Sequence, residues 1–301
     1  PPPPPPRRGG RVKRVRAEVL STRKIGAYHQ LTVVAPEIAE KARPGQFVAV
    51  QMPRGREFLL RRHLAIHDAS RRGGWAGTLE VVIDPVGPGT SWLTLARAHS
   101  FLDLIGPLGK GFSHPRRLTN CLLVAEHHGA ATLYFLAQEL VAGGKRVDMV
   151  IGADTMERVL KPIDAKRLSQ TVAIVTADGT LGDRGDVMDV LPEAAERSKG
   201  QVVYAAGPAR TLERVAAFCR ERGLPAQMAL EEQMGCGYGL CHTCVVPVAR
   251  RDGSGYDNLR ACIDGPVFNP ARVLWDRWLG ERPTMLPTPP EGLPVVRSWP
   301  G

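Results

Sequence analysis

Four cysteines late in the chain have a spacing that could hold a metal centre. Cys236, Cys241 and Cys244 follow the pattern C-x4-C-x2-C, and Cys262 lies after an intervening segment. This is the spacing of plant-type [2Fe–2S] sites, in which four thiolates bind two irons. Glycines between these cysteines suit such a loop, because glycine adopts positive φ and lets backbone N–H groups approach the sulfurs. The sequence therefore predicts a [2Fe–2S] cluster.

Two other uses of these cysteines remain open. A structural zinc site also takes four cysteines, although zinc sites pair two short C-x2–4-C motifs and here three of the four share one loop. The total of six cysteines also permits disulfides, but the chain starts without the apolar segment of a secretory signal. The remaining two, Cys121 and Cys219, lie in apolar patterns that predict packed thiols.

Length and composition indicate a globular protein of two or three domains. The chain has 301 residues, of which 43% are hydrophobic and 23% charged. No apolar run reaches the length of about 18 residues that a membrane span needs, so we expect no span and a cytoplasmic location. The net charge is +10, but the positive residues are mostly scattered, without a nucleic-acid recognition motif. We therefore expect no nucleic-acid partner; the basic surface suits solvent or an acidic partner.

The first part of the chain has the pattern of short antiparallel strands. Apolar and polar residues alternate at residues 12–20, 28–34, 45–50 and 79–83, with proline and glycine turns between them. Alternation with a period of two buries one face of a strand. This pattern predicts a small antiparallel β-barrel.

From about residue 118 the pattern changes to continuous apolar runs separated by helix-like stretches. Such runs are typical of strands that are buried on both faces of a parallel sheet. The predicted strands are 121–124, 146–151, 171–175 and 201–206, and the predicted helices are 131–142 and 211–223. This part of the chain therefore predicts a doubly wound α/β sheet.

A barrel, a parallel sheet and a cysteine loop follow one another in an order that resembles the ferredoxin–NADP reductase superfamily. Within it, the chain is most similar to the family of electron-transfer subunits of class B dihydroorotate dehydrogenase, over about residues 12–275. The segments that carry the resemblance are 44–47, 87–90, 106–112, 207–208, the cysteine loop and 262–268. The resemblance implies a multi-domain β + α/β fold with a flavin-binding antiparallel β-barrel, a doubly wound nucleotide domain and a small [2Fe–2S] domain.

Pattern and resemblance together give the expected domain boundaries. These are a disordered proline-rich tail at 1–11, an FAD-binding barrel at 12–113, an NAD(P)-binding-like α/β domain at 114–228, a cluster domain at 229–275 and a C-terminal tail at 276–301.

The resemblance also implies which residues hold FAD. Arg62 corresponds to the family's bidentate partner for the pyrophosphate, whereas Ala65 replaces the hydroxyl residue that faces flavin N5. The glycine-rich turn at 87–90 suits a phosphate at a helix N-terminus, although an ordinary strand-to-helix turn explains it equally well. The expected FAD-binding residues are Arg62, His63, Leu64, Ala65, Gly87, Gly89 and Thr90.

The predicted nucleotide domain departs from the family pattern. Glu126, His127 and His128 occupy a turn that is rich in glycine in the family, and Ala206 replaces a cysteine beside the nicotinamide. Side chains there fill space that a pyrophosphate would need, so we expect a weakened or altered NAD(P) site. No matching carboxylate or cysteine is evident near the two histidines in the sequence, which favours a surface or packing role for them.

These features predict an electron-transfer subunit of an oxidoreductase complex. It would relay electrons between FAD, the [2Fe–2S] cluster and the flavin of a catalytic partner subunit in a hetero-oligomer; no catalytic residue of its own is assigned. The partner would be dihydroorotate dehydrogenase-like, or belong to a hydrogenase or transhydrogenase assembly. The competing hypothesis is a non-catalytic binding or scaffolding module with a structural or single-electron cluster.

Overall fold

The computed structural model describes residues 12–53, 58–71, 74, 76–114, 117 and 119–280. The predicted N-terminal tail, and most of the predicted C-terminal tail, lie outside the described residues.

Six antiparallel strands close into a barrel in the order β1-β2-β5-β4-β3-β6. Strand alternation explains the barrel core: in β6, Leu102, Leu104, Gly106 and Leu108 are buried, and the residues that alternate with them are not. The barrel elements are β1 (Lys13–Ile25), β2 (Tyr28–Val34), α1 (Pro36–Ala39), β3 (Phe47–Val50), β4 (Arg62–Ala69), β5 (Thr78–Ile83), α2 (Pro88–Leu93) and β6 (Phe101–Leu108). Strand β4, which carries four of the predicted FAD residues, lies between β3 and β5 and is hydrogen-bonded on both sides.

A seven-stranded sheet follows, in the order β10-β9-β8-β7-β11-β12-β15, and all its pairs are parallel except β12 with β15. Its elements are β7 (Asn120–Glu126), α3 (Ala130–Ala142), β8 (Arg146–Ala153), α4 (Pro162–Leu168), β9 (Thr171–Thr176), β10 (Asp183–Arg184), α5 (Val187–Ser198), β11 (Val202–Ala206), α6 (Ala209–Glu221), β12 (Ala226–Ala229) and β15 (Val267–Phe268). The whole of β7 from Cys121 to Ala125 is buried, as expected for a parallel strand covered on both faces. The predicted fold class is confirmed.

The cysteine-bearing segment packs closely on this sheet. It contains a hairpin, β13 (Val245–Ala249) and β14 (Tyr256–Arg260), and then adds β15 to the edge of the sheet beside β12. The predicted C-terminal tail is wrong at its start, because residue 276 lies within helix α7 (Trp275–Gly280). Trp275 and Trp278, one turn apart, meet edge to face with ring centroids 5.6 Å apart, and this packing holds the helix.

The two cysteines outside the predicted cluster are packed thiols, as the sequence predicts. Burial raises the pKa of Cys121 to about 11 and that of Cys219 to about 12. None of the six cysteines forms a disulfide. None of the helices in the described part of the chain is both long and apolar enough to cross a membrane.

Candidate functional site

A cavity of 310 Å³ opens where the barrel meets the carboxyl ends of β7 and β11. The strand order reverses between these two strands, and open α/β sheets bind ligands outside the carboxyl ends at such a reversal. All three parts of the molecule contribute to the wall. Ala65 comes from the barrel, His128 and Ala206 from the sheet, and Glu231 from the segment that leads into the cysteine loop.

Strand β4 divides its predicted FAD residues between two faces. His63, Leu64 and Ala65 all border the cavity, and the buried side chain of Leu64 also belongs to the barrel core. The side chains of His63 and Ala65 share one face of the strand because side chains alternate with a period of two.

Arg62 is a cation without a described acidic partner. Burial lowers its pKa and no charged neighbour offsets this effect, whereas the adjacent Arg61 is paired with Asp103 at 2.6 Å. The guanidinium of Arg62 lies directly over Gly89 at the start of α2, where a Cβ would overlap it. A half-buried cation that lacks a carboxylate partner and lies over a glycine turn fits an anionic group such as a pyrophosphate.

The other turn residues fix the local backbone. Gly87 N–H donates to Thr90 Oγ1 at 3.1 Å, and this hydroxyl donates back to the carbonyl of Gly87. Thr90 also borders the cavity. Space is open around Gly87, so only Gly89 is held to glycine by a close neighbour.

The prediction that His127 and His128 lack carboxylate partners is wrong. His127 Nε2 lies 3.2 Å from Asp154 Oδ2, a contact without hydrogen-bond geometry, and His128 Nε2 lies 2.6 Å from Glu231 Oε1. Parallel strands end at one edge of the sheet, which brings residues far apart in the sequence to this turn. Glu126, the first residue of this turn, accepts a hydrogen bond from the hydroxyl of Thr211 in α6.

His128 forms a charged pair inside the cavity wall. Burial alone would lower the pKa of His128, but the carboxylates of Glu231 and Asp84 outweigh this effect and raise it, with Arg158 opposing them. Asp84 in turn accepts a hydrogen bond from Arg158 at 3.1 Å. Neither Asp84 nor Asp154 belongs to a recognisable sequence motif, so the sequence alone does not indicate their role at this site.

The close approach of β7 and β11 leaves little room at this edge. A Cβ on Gly129 would lie 2.5 Å from the carbonyl oxygen of Ala206. The side chain of Glu126 lies against Gly207: a Cβ added to Gly207 would be 3.1 Å from the Cβ of Glu126. The turn is therefore closely packed as well as ion-paired.

The cluster loop, residues 235–244, directs backbone N–H groups at its own sulfurs. The amides of Leu240 and Cys241 donate to Cys236 Sγ at 3.3 and 3.5 Å, and the amide of Cys236 donates to Cys241 Sγ at 3.3 Å. Gly237 and Gly239 turn the loop with φ of +82° and +88°. Both values lie in the left-handed region that glycine adopts without strain.

The four predicted cluster ligands form two pairs. Hydrogen bonds from Thr243 and from the amide of Cys236 lower the pKa of Cys241 to about 6. A hydrogen bond from the thiol of Cys262 lowers the pKa of Cys244 to about 6 and raises the pKa of Cys262. Two adjacent cysteine pairs, each with one cysteine of lowered pKa, fit a two-iron cluster, in which each iron takes two cysteines. Within the described ranges, no three His, Cys, Asp or Glu side chains form a single-ion site.

His63 connects the cavity with the cluster loop. Its imidazole meets the ring of Phe47 edge to face at 5.8 Å, and both residues line the cavity. On its other side it contacts the loop, where a Cβ on Gly237 would overlap the imidazole. Burial lowers the pKa of His63, the neighbouring arginines add to this effect, and the backbone of Cys236 opposes it.

Comparison with known proteins gives a consistent result. Residues 231–274 match the family described as the iron–sulfur cluster binding domain of dihydroorotate dehydrogenase B. The chain is 34% identical to the dihydroorotate dehydrogenase B (NAD(+)) electron transfer subunit of Desulforamulus reducens, over 80% of this chain and 90% of that one. It is also 34% identical to the subunit of the same name from Geobacillus thermodenitrificans, over 87% of this chain and 99% of that one.

Solved structures show the same fold. The structure of an NADH-dependent reduced ferredoxin–NADP oxidoreductase, described for flavin-based electron bifurcation, superposes with a TM-score of 0.76 at 29% identity, over 88% of this chain and 92% of that one. A ferredoxin reductase of carbazole 1,9a-dioxygenase superposes with a TM-score of 0.59 at 19% identity, over 71% of this chain and 67% of that one, and supports the fold alone.

Proposed function

Because this chain belongs to the family of dihydroorotate dehydrogenase B electron-transfer subunits, we propose that it relays electrons between FAD, a [2Fe–2S] cluster and a partner flavoprotein. One observation carries the proposal. A single cavity is bordered by the barrel motif, the sheet reversal and the cluster segment, and His63 in its wall touches the cluster loop. FAD bound in this cavity and a cluster held by the cysteine loop would therefore lie next to each other.

The barrel supplies the binding site for FAD. Arg62 would pair with the pyrophosphate, because it is a half-buried cation without an acidic partner among the described residues. Gly89 leaves room for the guanidinium, and Gly87 and Thr90 fix the turn beside it. His63, Leu64 and Ala65 border the same cavity and would contact the cofactor there. FAD would exchange electron pairs and single electrons, and the chain positions and shields it.

The cluster loop supplies the second redox site. Cys236 and Cys241 would hold one iron, and Cys244 and Cys262 the other. Three backbone amides already point at the first pair of sulfurs, and such contacts stabilise negative charge on the cluster. The scaffolding alternative keeps a cluster but lacks flavin, and it would leave the charge of Arg62 beside the glycine turn without a role.

The pyridine-nucleotide site is weakened, so electrons enter or leave this subunit chiefly by another route. Glu126, His127 and His128 each have a side-chain partner that holds the turn in place. The carboxylates of Glu231 and Glu232 border the same cavity. They would repel a pyrophosphate, which needs backbone N–H groups or cations around it. A cytoplasmic location agrees with six cysteines that form no disulfide.

The amounts of FAD, iron and acid-labile sulfide in the purified protein test this function. We expect full-length protein, purified under argon, to contain FAD and about two irons and two acid-labile sulfides per chain, as the cluster formula requires. Cys244→Ala should lose iron and sulfide, because it removes one ligand of the second thiol pair. The matched control Cys219→Ala, which changes a buried thiol outside the loop, should keep both. Zinc in place of iron, or wild-type protein without flavin after reconstitution, would contradict the proposal.

A further inference from the structure

The imidazole of His63 is the one described side chain that both lines the cavity and fixes a glycine of the cluster loop. The loop approaches it so closely at Gly237 that no Cβ would fit there. Gly237 also has a φ of +82°, which is unfavourable for other residues. Both the close contact with His63 and the positive φ therefore require glycine at position 237.

The Nε2 atom of His63 is buried at this contact. No contact of Nε2 in the described structure has the geometry of a hydrogen bond, although the backbone of Cys236 is near enough to affect the pKa of the imidazole. A buried polar atom without a hydrogen bond is unfavourable, because burial has removed its contacts with water. A small movement of the loop would satisfy it, and Cys236 is the first cluster ligand.

We propose that His63 is a positioning residue that donates a hydrogen bond from Nε2 to the backbone carbonyl of Cys236 and thereby raises the reduction potential of the cluster. An imidazole donates from Nε2 both when protonated and in one neutral tautomer, so this bond does not depend on the charge of His63. The proposal rests on the proposed function, because it needs the cluster to be held by this loop.

The direction of the effect follows from electrostatics. Reduction adds negative charge to the cluster, and an N–H dipole pointing toward its first ligand stabilises the reduced form. The same bond would hold the loop so that the amides of Leu240 and Cys241 stay aimed at Cys236 Sγ. Loss of the donor removes both contributions, and both losses lower the potential.

The test is a redox titration of the cluster in full-length protein, followed by electron paramagnetic resonance. His63→Phe keeps an aromatic ring against Phe47 but has no N–H. We expect the ratio of reduced to oxidised cluster at a fixed potential to fall about tenfold, which is about 59 mV for a one-electron couple. His63→Gln carries an amide N–H at the distance of Nε2 and should keep the wild-type potential.

A second pair keeps the test decisive if His63→Phe fails to load its cluster. His63→Asn has the same amide as His63→Gln but is one methylene too short, so it should titrate at the lower potential. His29→Phe changes a barrel histidine on β2 that does not line the cavity and should have no effect. Wild-type potentials in His63→Phe or His63→Asn would overturn the proposal, as would an equal shift in His63→Gln. Lack of iron in the wild type would instead overturn the proposed function.

Discussion

At the scale of single residues, side chains fill the turn after β7 while the sheet around it keeps its fold. The sheet has the strand reversal at which dinucleotides bind in open α/β sheets. Glu126, His127 and His128 form this turn, and each contacts a side chain from a different part of the molecule. His127 has a φ of +51°, a conformation that suits glycine. Side-chain contacts thus maintain a backbone that glycine would adopt at lower cost.

Replacing all three residues with glycine should therefore restore nucleotide binding. We expect Glu126→Gly/His127→Gly/His128→Gly to bind NADH at least about tenfold more tightly than the wild type, because it removes a carboxylate and frees backbone N–H groups for phosphate. Fluorescence titration with NADH measures the affinity. His99→Gly is a matched control, since His99 is an exposed barrel residue with a φ of +66°. Unchanged affinity in the triple variant would show that packing at this turn does not exclude the nucleotide.

At the scale of elements, the contact between β4 and α2 should determine how firmly the flavin is held. Arg62 lies on β4 and Gly89 on α2, and the guanidinium of Arg62 occupies the space that a side chain at position 89 would need. Gly89→Ala would push the guanidinium away from its position. Hydrogen bonds to charged groups contribute about 1.5–3 kcal/mol, so we expect FAD affinity to fall about tenfold or more.

Gly87→Ala provides the control for this prediction. Gly87 is in the same turn, has an extended backbone with a φ of −158° and has open space where a Cβ would be. It should therefore keep wild-type affinity when FAD release is followed by ultrafiltration and flavin fluorescence. Equal losses in the two variants would show that the turn itself, and not the position of Arg62, holds the flavin.

Local patterns predicted four of the six barrel strands, the four main parallel strands and two helices. Alternation predicted the barrel, continuous apolar runs predicted the parallel strands, and the helix predicted at 131–142 is observed at Ala130–Ala142. Helix α5 was missed because Pro192 lies inside it, and proline usually ends a helix. Its apolar positions Val187, Leu191 and Ala194 nevertheless have helical spacing, and Asp186 caps its start by accepting a hydrogen bond from Met188 N–H at 2.6 Å.

The partners in the site could not be predicted in the same way. The cysteine spacing showed which residues belong to one loop, but not that Cys244 pairs with Cys262 in the folded chain. The partner of His128, Glu231, is brought to it by the sheet and by the segment that leads into the loop. Such contacts depend on tertiary structure, which a spacing rule for one segment does not contain.

At the scale of the whole molecule, three structural units converge on one cavity. The barrel contributes His63 and Ala65, the sheet contributes His128 and Ala206, and the cluster segment contributes Glu231. The cluster segment is joined to the sheet through β15 and to helix α7, where Trp278 Nε1 donates to Glu232 Oε2 at 2.6 Å. The distance between redox sites is therefore set by the packing of all three units.

We propose that electrons reach this relay through the cluster and a partner more than through a pyridine nucleotide. The most direct test is the visible spectrum of the anaerobically purified chain, recorded after excess NADH and then after dithionite. The account predicts flavin and cluster bands that persist with NADH and bleach with dithionite. Rapid and complete bleaching by NADH alone would contradict it, because the nucleotide site would then be a working entry point for electrons.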